Sequence, residues 1–191
     1  MRMSRVHYIG VVLMTIFVGL PAFVLAGAIA GLPVYVHPPV DVLPAKADVV
    51  YVIGPPTRAR LALARKLLDE GVSDQMVISV SPHVLQPGYT ERKFRACNRP
   101  GGDIICISPE PFTTQGEAAA LGTMATQYGW HSAIVITRTT HVVRARMYLQ
   151  RCFAGDLAVI DSGEPSSLTT WGYEYLYQTG AFVKSLTERG C

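Results

Sequence analysis

Beyond residue 47, short apolar runs alternate with segments in which apolar residues recur three and four positions apart. The runs are rich in Val, Ile and Tyr, which is typical of strands covered on both faces of a sheet. The segments between them have the periodicity of amphipathic helices. Strands that alternate with helices form parallel sheets, so the pattern predicts an α/β domain with a three-layer, doubly wound, mainly parallel sheet of five strands.

The pattern also places each element along the chain. The strands are predicted at residues 48–53, 76–80, 104–107, 132–137 and 157–160, and three helices at 58–70, 114–128 and 140–153. Gly71 should end the first helix in a left-handed conformation, and Ser166 or Ser167 should cap a last helix. We expect the aromatic residues of that helix to pack in the core rather than form a sugar platform. They are Trp171, Tyr173, Tyr175, Tyr177 and Phe182.

The N-terminal part of the chain has a different composition. Residues 8–36 contain no Asp, Glu, Lys or Arg, and a bilayer-spanning helix needs only about 20 such residues. Arg2 and Arg5 precede the segment, so the positive-inside rule predicts a cytoplasmic N-terminus. We expect a cytoplasmic tip at 1–7, a single-pass signal-anchor in the cytoplasmic membrane at 8–36, an extended tether at 37–47 and an extracytoplasmic domain at 48–191.

A cleaved signal peptide is the alternative for this segment. The sequence Ala28-Ile29-Ala30 has the small residues of a processing site, but the apolar region of a signal peptide is usually about 7–15 residues long. The greater length favours an uncleaved anchor. Both interpretations export the globular domain.

The four cysteines agree with export, because disulfides persist in oxidising compartments. They are Cys97, Cys106, Cys152 and Cys191, and they allow three pairings. Cys97 and Cys106 bracket a Pro100-Gly101-Gly102 turn and are the favoured pair; buried free thiols are the alternative. Closing so short a loop contributes roughly 2–3 kcal/mol. No cysteine or histidine spacing of a metal site occurs, so no metal is expected.

Charge and motifs exclude several classes of function. The net charge is only +3 and no basic run alternates with aromatic residues, which argues against nucleic-acid binding. Nucleophile-elbow, Walker and zinc-protease motifs are absent from the sequence. In a Rossmann-like domain the first turn would carry glycines, but here Gly54-Pro55-Pro56 removes amide donors. No cofactor is therefore expected.

The polar residues that follow the strands predict a pocket, since the carboxyl ends of parallel strands meet at one edge of the sheet. In strand order these residues are Arg58 and Arg60; Ser79, Ser81, His83 and Glu91; Glu110, Thr113, Thr114 and Glu117; and Thr137, Arg138, His141 and Arg144. His141 and Arg144 are three apart and share a helix face. Guanidinium groups match phosphate and carboxylate oxygens, so the edge predicts an anion-binding pocket.

Each of these residues also has a structural interpretation. Thr114 and Glu117 have the spacing of a capping box, in which both side chains satisfy helix-end amides. His141 could be hydrogen-bonded at a helix start without a ligand, and Arg144 could pair with a carboxylate. Glu110 lies between two prolines and could be simply exposed, and the two arginines after the first strand could be solvated. The prediction of a site depends on their convergence.

Several of these residues also match a known pattern. The chain resembles the YdcF/SanA/ElyC-like family, a bacterial group of unknown function, over residues 48–165. The matching residues are Asp48, Arg60-Leu61-Ala62-Leu63-Ala64, Gly71, Thr114, Glu117, Thr137, His141, Arg144 and Ala145. Two departures are Gly54-Pro55-Pro56 and Ser79-Val80-Ser81, where the family often has glycine-rich turns. Glu117 also stands one place later after the threonine than in many relatives.

The resemblance implies a role in envelope integrity, through peptidoglycan or lipid-carrier metabolism, and SanA- and ElyC-like members share the N-terminal membrane segment. For a cytoplasmic relative it implies S-adenosylmethionine binding. It also adds Asp48 to the expected ligand-binding residues.

Together these observations predict a membrane-anchored envelope protein that binds, and as a hydrolase or transferase acts on, a phosphorylated cell-wall or lipid-carrier precursor. His141 would be the acid/base and Glu117 would orient His141 or activate water. Arg60 and Arg144 would clamp the anion. The expected ligand-binding set is Asp48, Gly54, Arg60, Glu110, Thr114, Thr137 and Arg144. The alternatives are a non-catalytic envelope assembly module and a protein that binds S-adenosylmethionine or a nucleotide.

Overall fold

The computed structural model describes residues 5–89, 94, 97, 103–165, 167–188 and 190–191. Its strands are β1 (Val49–Val52), β2 (Met76–Ser79), β3 (Ile104–Ile107), β4 (Ser132–Thr137) and β5 (Asp156–Asp161). They form one sheet in the order β3-β2-β1-β4-β5, and every neighbouring pair is parallel. The predicted α/β class and the five-stranded parallel sheet are confirmed. The strand order, which the sequence leaves open, is that of a Rossmann-like sheet.

The helices of the domain begin and end close to the predicted residues. They are α3 (Arg58–Asp69), α4 (Thr114–Tyr128), α5 (Val142–Cys152) and α6 (Leu168–Thr187). A 3-10 turn at Thr139–His141 precedes α5, which therefore begins two residues later than predicted. Gly71 has the expected left-handed conformation, with φ at 68°.

The N-terminal part is helical from residue 5 to residue 36. It consists of α1 (Arg5–Met14) and α2 (Leu20–Gly31), each followed by a π-helical turn, Thr15–Gly19 and Leu32–Val36. Of the helices that the structure describes, none has both the length and the apolar character needed to cross a bilayer. The predicted transmembrane helix is thus unconfirmed.

The predicted tether is docked onto the domain. The backbone N–H of Asp41 donates to the carbonyl of Val159 at 3.2 Å, and the Asp41 carboxylate accepts from the Val159 N–H at 2.7 Å. Arg146 of α5 pairs with the same carboxylate at 2.8 Å. Asp41 therefore covers the open edge of β5 and holds the N-terminal helices close to the domain.

The core has two halves because side chains alternate across the sheet. Val49 and Tyr51 of β1 pack on one face with α4 and α5, whereas Val50 and Val52 pack on the other face with α3. All four are fully buried, as the uninterrupted apolar run predicts. Burial on both faces fixes the register of β1 between β2 and β4.

Short polar side chains begin the helices of the carboxyl edge. Thr57 caps α3 and Thr113 caps α4, where its hydroxyl accepts from the Gly116 N–H at 3.2 Å. The alternative capping box of Thr114 and Glu117 is therefore wrong, and both side chains are available to the site. Ser167 caps α6. Ser166, the other predicted cap, lies outside the described residues.

Asp48 lies at the amino edge of the sheet, opposite the predicted site. Its carboxylate accepts from the backbone N–H groups of His131 and Ser132 at 2.7 and 2.8 Å and from the Ser132 hydroxyl at 2.9 Å. These hydrogen bonds, that of the His131 N–H first, lower the pKa of Asp48. Asp48 therefore joins β1 to β4 and is a correction to the expected ligand-binding set.

The cysteines form two disulfides. Cys97–Cys106 is the favoured pair, although the turn at 100–102 that suggested it lies outside the described residues. Cys152–Cys191 joins the end of α5 to the C-terminal residue. No cysteine is free, so the alternative of buried thiols is wrong.

The two disulfides should differ in their contribution to stability, because they close loops of 39 and 9 residues. Replacing Cys152 and Cys191 together by serine should lower the free energy of unfolding by roughly 4 kcal/mol, against roughly 2.5 kcal/mol for Cys97 and Cys106. Denaturant unfolding of the full-length chain measures both. A larger loss from the short-loop pair would contradict the loop-entropy explanation.

Candidate functional site

The site lies where the sheet reverses its strand order, at the carboxyl ends of β1 and β4. The chain leaves β1 toward α3 on one face and leaves β4 toward α5 on the other, which opens a crevice between the two turns. The structure brings the following predicted residues together at this crevice: Gly54, Arg60, Thr114, Glu117, Thr137, Arg138, His141 and Arg144.

Glu117 is a buried carboxyl at the start of α4, and no ion pair involves it in the described part of the chain. Its Oε1 accepts from the backbone N–H of Gly54 at 2.6 Å. Burial raises the pKa of Glu117, while the Gly54 N–H and the charges of Arg60 and Arg144 oppose the rise. A carboxyl in this state can exchange a proton closer to neutral pH than an exposed glutamate.

Ser79, at the end of β2, faces the same carboxyl. Its hydroxyl is fully buried and is without a hydrogen-bond partner in the described residues. The hydroxyl lies close enough to Glu117 to oppose the rise in the pKa of that carboxyl. Its geometry does not meet that of a hydrogen bond. An unsatisfied buried hydroxyl is costly. A group that enters beside Glu117 could satisfy it.

His141 is held by two threonine hydroxyls. Its Nδ1 is 2.9 Å from Oγ1 of Thr137, and its Nε2 is 3.2 Å from Oγ1 of Thr114. Burial lowers the pKa of His141 well below its ordinary value, and the positive charges of Arg144, Arg60 and Arg138 lower it further. The imidazole is therefore neutral at neutral pH. These two threonines therefore orient the imidazole, whereas Glu117, predicted to orient His141 or to activate water, forms no hydrogen bond with it among the described residues.

Arg144 is linked to the same threonine. Its Nη1 donates to Oγ1 of Thr114 at 3.0 Å, and its Nε donates to Oε1 of Gln178 at 3.0 Å. Because Thr114 accepts from Arg144, its own proton can go to Nε2 of His141, which favours the tautomer with a proton on Nδ1. None of the ion pairs among the described residues includes Arg144. The side-chain partners that its guanidinium has within hydrogen-bond distance among those residues, Thr114 and Gln178, are both uncharged.

Arg60 is 1% exposed and has a different role from Arg144. Its Nη1 donates to the carbonyls of Ile53 and Pro55 at 3.2 and 3.1 Å, and its Nε and Nη2 donate to the carboxylate of Glu164 at 3.0 and 3.4 Å. Burial lowers the pKa of Arg60, and Glu164 opposes this. Since these groups occupy the guanidinium, Arg60 positions the turn after β1.

The sequence reasoning missed three residues of the site. Glu164 follows β5 at the same edge, so the rule used for the other strands would have found it. Glu174 and Gln178 lie on α6: Glu174 pairs with Arg138 and accepts from Nε2 of Gln178 at 3.3 Å. The sequence feature that indicates them is their spacing of four residues, which places both polar side chains on one face of the helix. Glu174 is also the one charged residue of positions 168–183.

Four of the residues predicted at the carboxyl edge are not among those that the structure brings together at the crevice. Arg58 is exposed on α3, Glu110 is exposed on the loop before α4, and His83 lies in the loop after β2. No polar contact links Glu110 to the cluster, so its predicted ligand-binding role has no geometric support. Glu91 lies outside the described residues. Within those residues, His, Cys, Asp and Glu form no group that could hold a metal ion.

A cavity of about 190 Å³ lies beside the turn that follows β1. It is lined by Pro55, Pro56, Ser81, His83, Val84, Tyr89, Phe94 and Phe112. Gly54 separates it from the site: a Cβ there would lie 3.2 Å from Oε1 of Glu117 and 3.3 Å from Cζ of Phe112. The cavity is too small for a whole drug-sized ligand, so it suits one apolar substituent of a ligand.

Comparison with family models, with curated proteins and with solved structures finds no match to this chain. The resemblance to the YdcF/SanA/ElyC-like family therefore stays a prediction carried by the sequence motifs.

His141 should make stability depend on pH. Because its pKa is lower in the folded than in the unfolded chain, its contribution is complete above about pH 6.5. As the pH falls below that value, the free energy of unfolding should fall by up to about 1.4 kcal/mol per pH unit. The variant His141→Asn should lose this part of the slope.

The exposed His131 at the amino edge is the matched control, and His131→Asn should keep the wild-type slope. Denaturant unfolding between pH 5 and 8, a range set by the histidine pKa, measures all three proteins. A slope that persists unchanged in His141→Asn would show that the imidazole is not held neutral.

Proposed function

We propose that the domain binds a phosphorylated ligand in the crevice between β1 and β4, and that Glu117 and His141 handle protons during its hydrolysis or transfer. The observation that carries this proposal is the charge of Arg144. Arg60 and Arg138 have the carboxylates of Glu164 and Glu174 as partners, whereas Arg144 has only Thr114 and Gln178.

The surroundings of Arg144 suit an anion. His141 next to it is neutral, and the raised pKa of Glu117 favours the uncharged carboxyl, which would not repel an anion bound at Arg144. Phosphate oxygens would accept from the guanidinium, whose planar donors match them. No carboxylate among the described residues forms the ion pair that a structural interpretation of Arg144 requires.

The two titratable groups suit general acid–base chemistry. A buried carboxyl with a raised pKa can give a proton to a leaving oxygen or take one from an attacking water. The neutral imidazole of His141 can accept a proton, and the anion beside it would stabilise the resulting charge. The proposed substrate is therefore a phosphate ester or diphosphate, which in an envelope protein would be a cell-wall or lipid-carrier precursor.

Membrane attachment and export are part of the same proposal. The side chains of Phe17, Phe23 and Leu25 in the N-terminal helices are exposed and apolar, which favours a lipid environment for them. Two disulfides favour an oxidising compartment. We therefore propose a single-pass envelope protein with its domain outside the cytoplasmic membrane.

The first test is binding. Titration calorimetry of the full-length chain in detergent with inorganic pyrophosphate and with farnesyl phosphate should give saturable heats. Arg144→Gln should weaken both about 10- to 100-fold, because a hydrogen bond to a charged group contributes about 1.5–3 kcal/mol. Arg65→Gln removes an exposed arginine of α3 and should leave both affinities unchanged. Equal affinities of Arg144→Gln and wild type would refute the site.

The second test is turnover. Phosphate release from farnesyl phosphate or farnesyl diphosphate should fall about 10²- to 10⁴-fold in Glu117→Gln, the usual contribution of a general acid or base, while binding is retained. Glu110→Gln, an exposed carboxyl at the same edge, should release phosphate at the wild-type rate. Binding without release in the wild type would instead support the non-catalytic module.

A further inference from the structure

Helix α6 has an inner and an outer face of opposite character. Its inner face carries Glu174 and Gln178 to the arginines of the site, and Ser185 is fully buried. Its outer face exposes more than half of each of the apolar side chains Tyr173, Leu176, Tyr177, Val183 and Leu186. We call these five residues the outer face of α6. The prediction that its aromatic residues pack in the core is wrong for Tyr173 and Tyr177, which are exposed, and Trp171, Tyr175 and Phe182 are only half-buried.

From residue 168 to residue 183 this outer face is uncharged as well as apolar, and the exposed Lys184 follows in the last turn. Glu174 is the one charged residue between 168 and 183, and it points inward to Arg138. Leu176 is 78% exposed, and the rings of Tyr173 and Tyr177 stack with their centroids 6.1 Å apart. A surface helix of a soluble protein usually places charged residues on its solvent side. A contiguous patch without them marks an interaction surface.

The outer face continues onto the N-terminal helices. The hydroxyl of Tyr175 donates to the carbonyls of Gly27 and Ala28 at 3.1 and 2.6 Å. The ring of Tyr175 meets that of Tyr35 edge to face, with centroids 4.7 Å apart. Through these contacts α6 lies against the end of α2, where Ile29 is also largely exposed. One apolar environment can therefore cover both surfaces.

We propose that the outer face of α6 lies on a lipid bilayer, at the level of the headgroups. Tyrosine and tryptophan are enriched at that level: Tyr173 and Tyr177 lie on the outer face, and the half-buried Trp171 and Tyr175 lie in the same three turns of α6. Interfacial helices lie in the plane of the membrane surface with their apolar face toward the lipid. The uncharged residues 8–36 that adjoin it make lipid, rather than a protein partner, the occupant that fits both surfaces.

The position of α6 then defines the substrate more closely. Its inner face contacts Arg138 and Arg144, so the crevice lies within about one helix diameter, 10–12 Å, of the lipid headgroups. A phosphate carried on a membrane lipid can reach that distance without leaving the bilayer. This step rests on the phosphate site of the proposed function, whereas the contact of α6 with lipid does not depend on that site.

The experiment measures how close Trp171 lies to lipid. The full-length chain is reconstituted into phosphatidylcholine–phosphatidylglycerol vesicles with bromine at a shallow or a deep position of the acyl chain. The quenching of Trp171 is obtained as the difference between the quenching of the wild type and that of Trp171→Phe. In Trp130→Phe, Trp171 is the remaining tryptophan, so its quenching is read directly. Shallow bromine should quench Trp171 at least about twofold more strongly than deep bromine, as the interfacial level of such helices predicts.

Leu176→Gln should reduce that quenching by about half or more, because burial of its apolar side chain holds the helix to the membrane. Val42→Gln, which replaces an exposed apolar residue at the amino edge of the sheet, is the matched control and should leave the quenching unchanged. Absence of quenching, or equal quenching of Leu176→Gln and wild type, would overturn the proposal. If the protein instead forms a particle of doubled mass in which acrylamide does not quench Trp171, the outer face of α6 contacts a second copy of the chain. That result would also overturn the proposal.

Pyrophosphate titration of the same variants separates this proposal from the proposed function. Leu176 points away from the crevice, so Leu176→Gln should keep the wild-type affinity for pyrophosphate. Quenching without pyrophosphate binding would refute the phosphate site and leave the lipid contact standing. Binding without quenching would refute the lipid contact alone.

Discussion

The parallel pairing of β1 with β4 is the constraint on which the site depends. Both strands are almost completely buried, so their register cannot shift without exposing apolar side chains. At the amino edge, the three hydrogen bonds of Asp48 hold the pair together. At the carboxyl edge, the same register brings together the ends of the two strands, where the N–H of Gly54 donates to Glu117 and the hydroxyl of Thr137 contacts His141. A structural contact at one end of the sheet thus positions functional groups at the other.

The site also depends on buried charges that are satisfied inside the protein. Arg60 is almost completely buried, and the free energy of removing it from water is offset by Glu164 and by the carbonyls of Ile53 and Pro55. Loss of Glu164 alone would leave that charge buried and unpaired, which is more harmful than losing both partners. Arg60 therefore fixes the proline-containing turn, and Arg144, with neutral partners, keeps its charge available.

The sequence predicted the sheet well, because runs such as 132–137 are buried on both faces and have no competing pattern. The rule that residues after parallel strands converge also placed Glu117 at this edge. The alternative in which Thr114 caps α4 is wrong, because Thr113 is the residue that caps it. The hydrophobic pattern did not predict which side chains of α6 are buried, because composition alone does not show which face of a helix packs against the domain. The position of Glu164 after β5 can be found from the sequence, but its ion pair with Arg60 cannot, because nothing in the sequence near either residue indicates the other.

The electrostatics of the crevice link ligand binding to proton transfer. The positive charges of Arg60 and Arg144 lower the pKa of Glu117 and so oppose the effect of its burial. A phosphate bound beside Arg144 would cancel part of that positive charge and place negative charge near the carboxyl. Both changes raise the pKa of Glu117 further, because like charges disfavour ionisation. The proposed ligand would thereby favour the protonated form of Glu117 while it is bound, and the same charge would raise the pKa of His141. Glu117 is then suited to donate the proton that a leaving oxygen needs, and His141 to accept the proton of the attacking group.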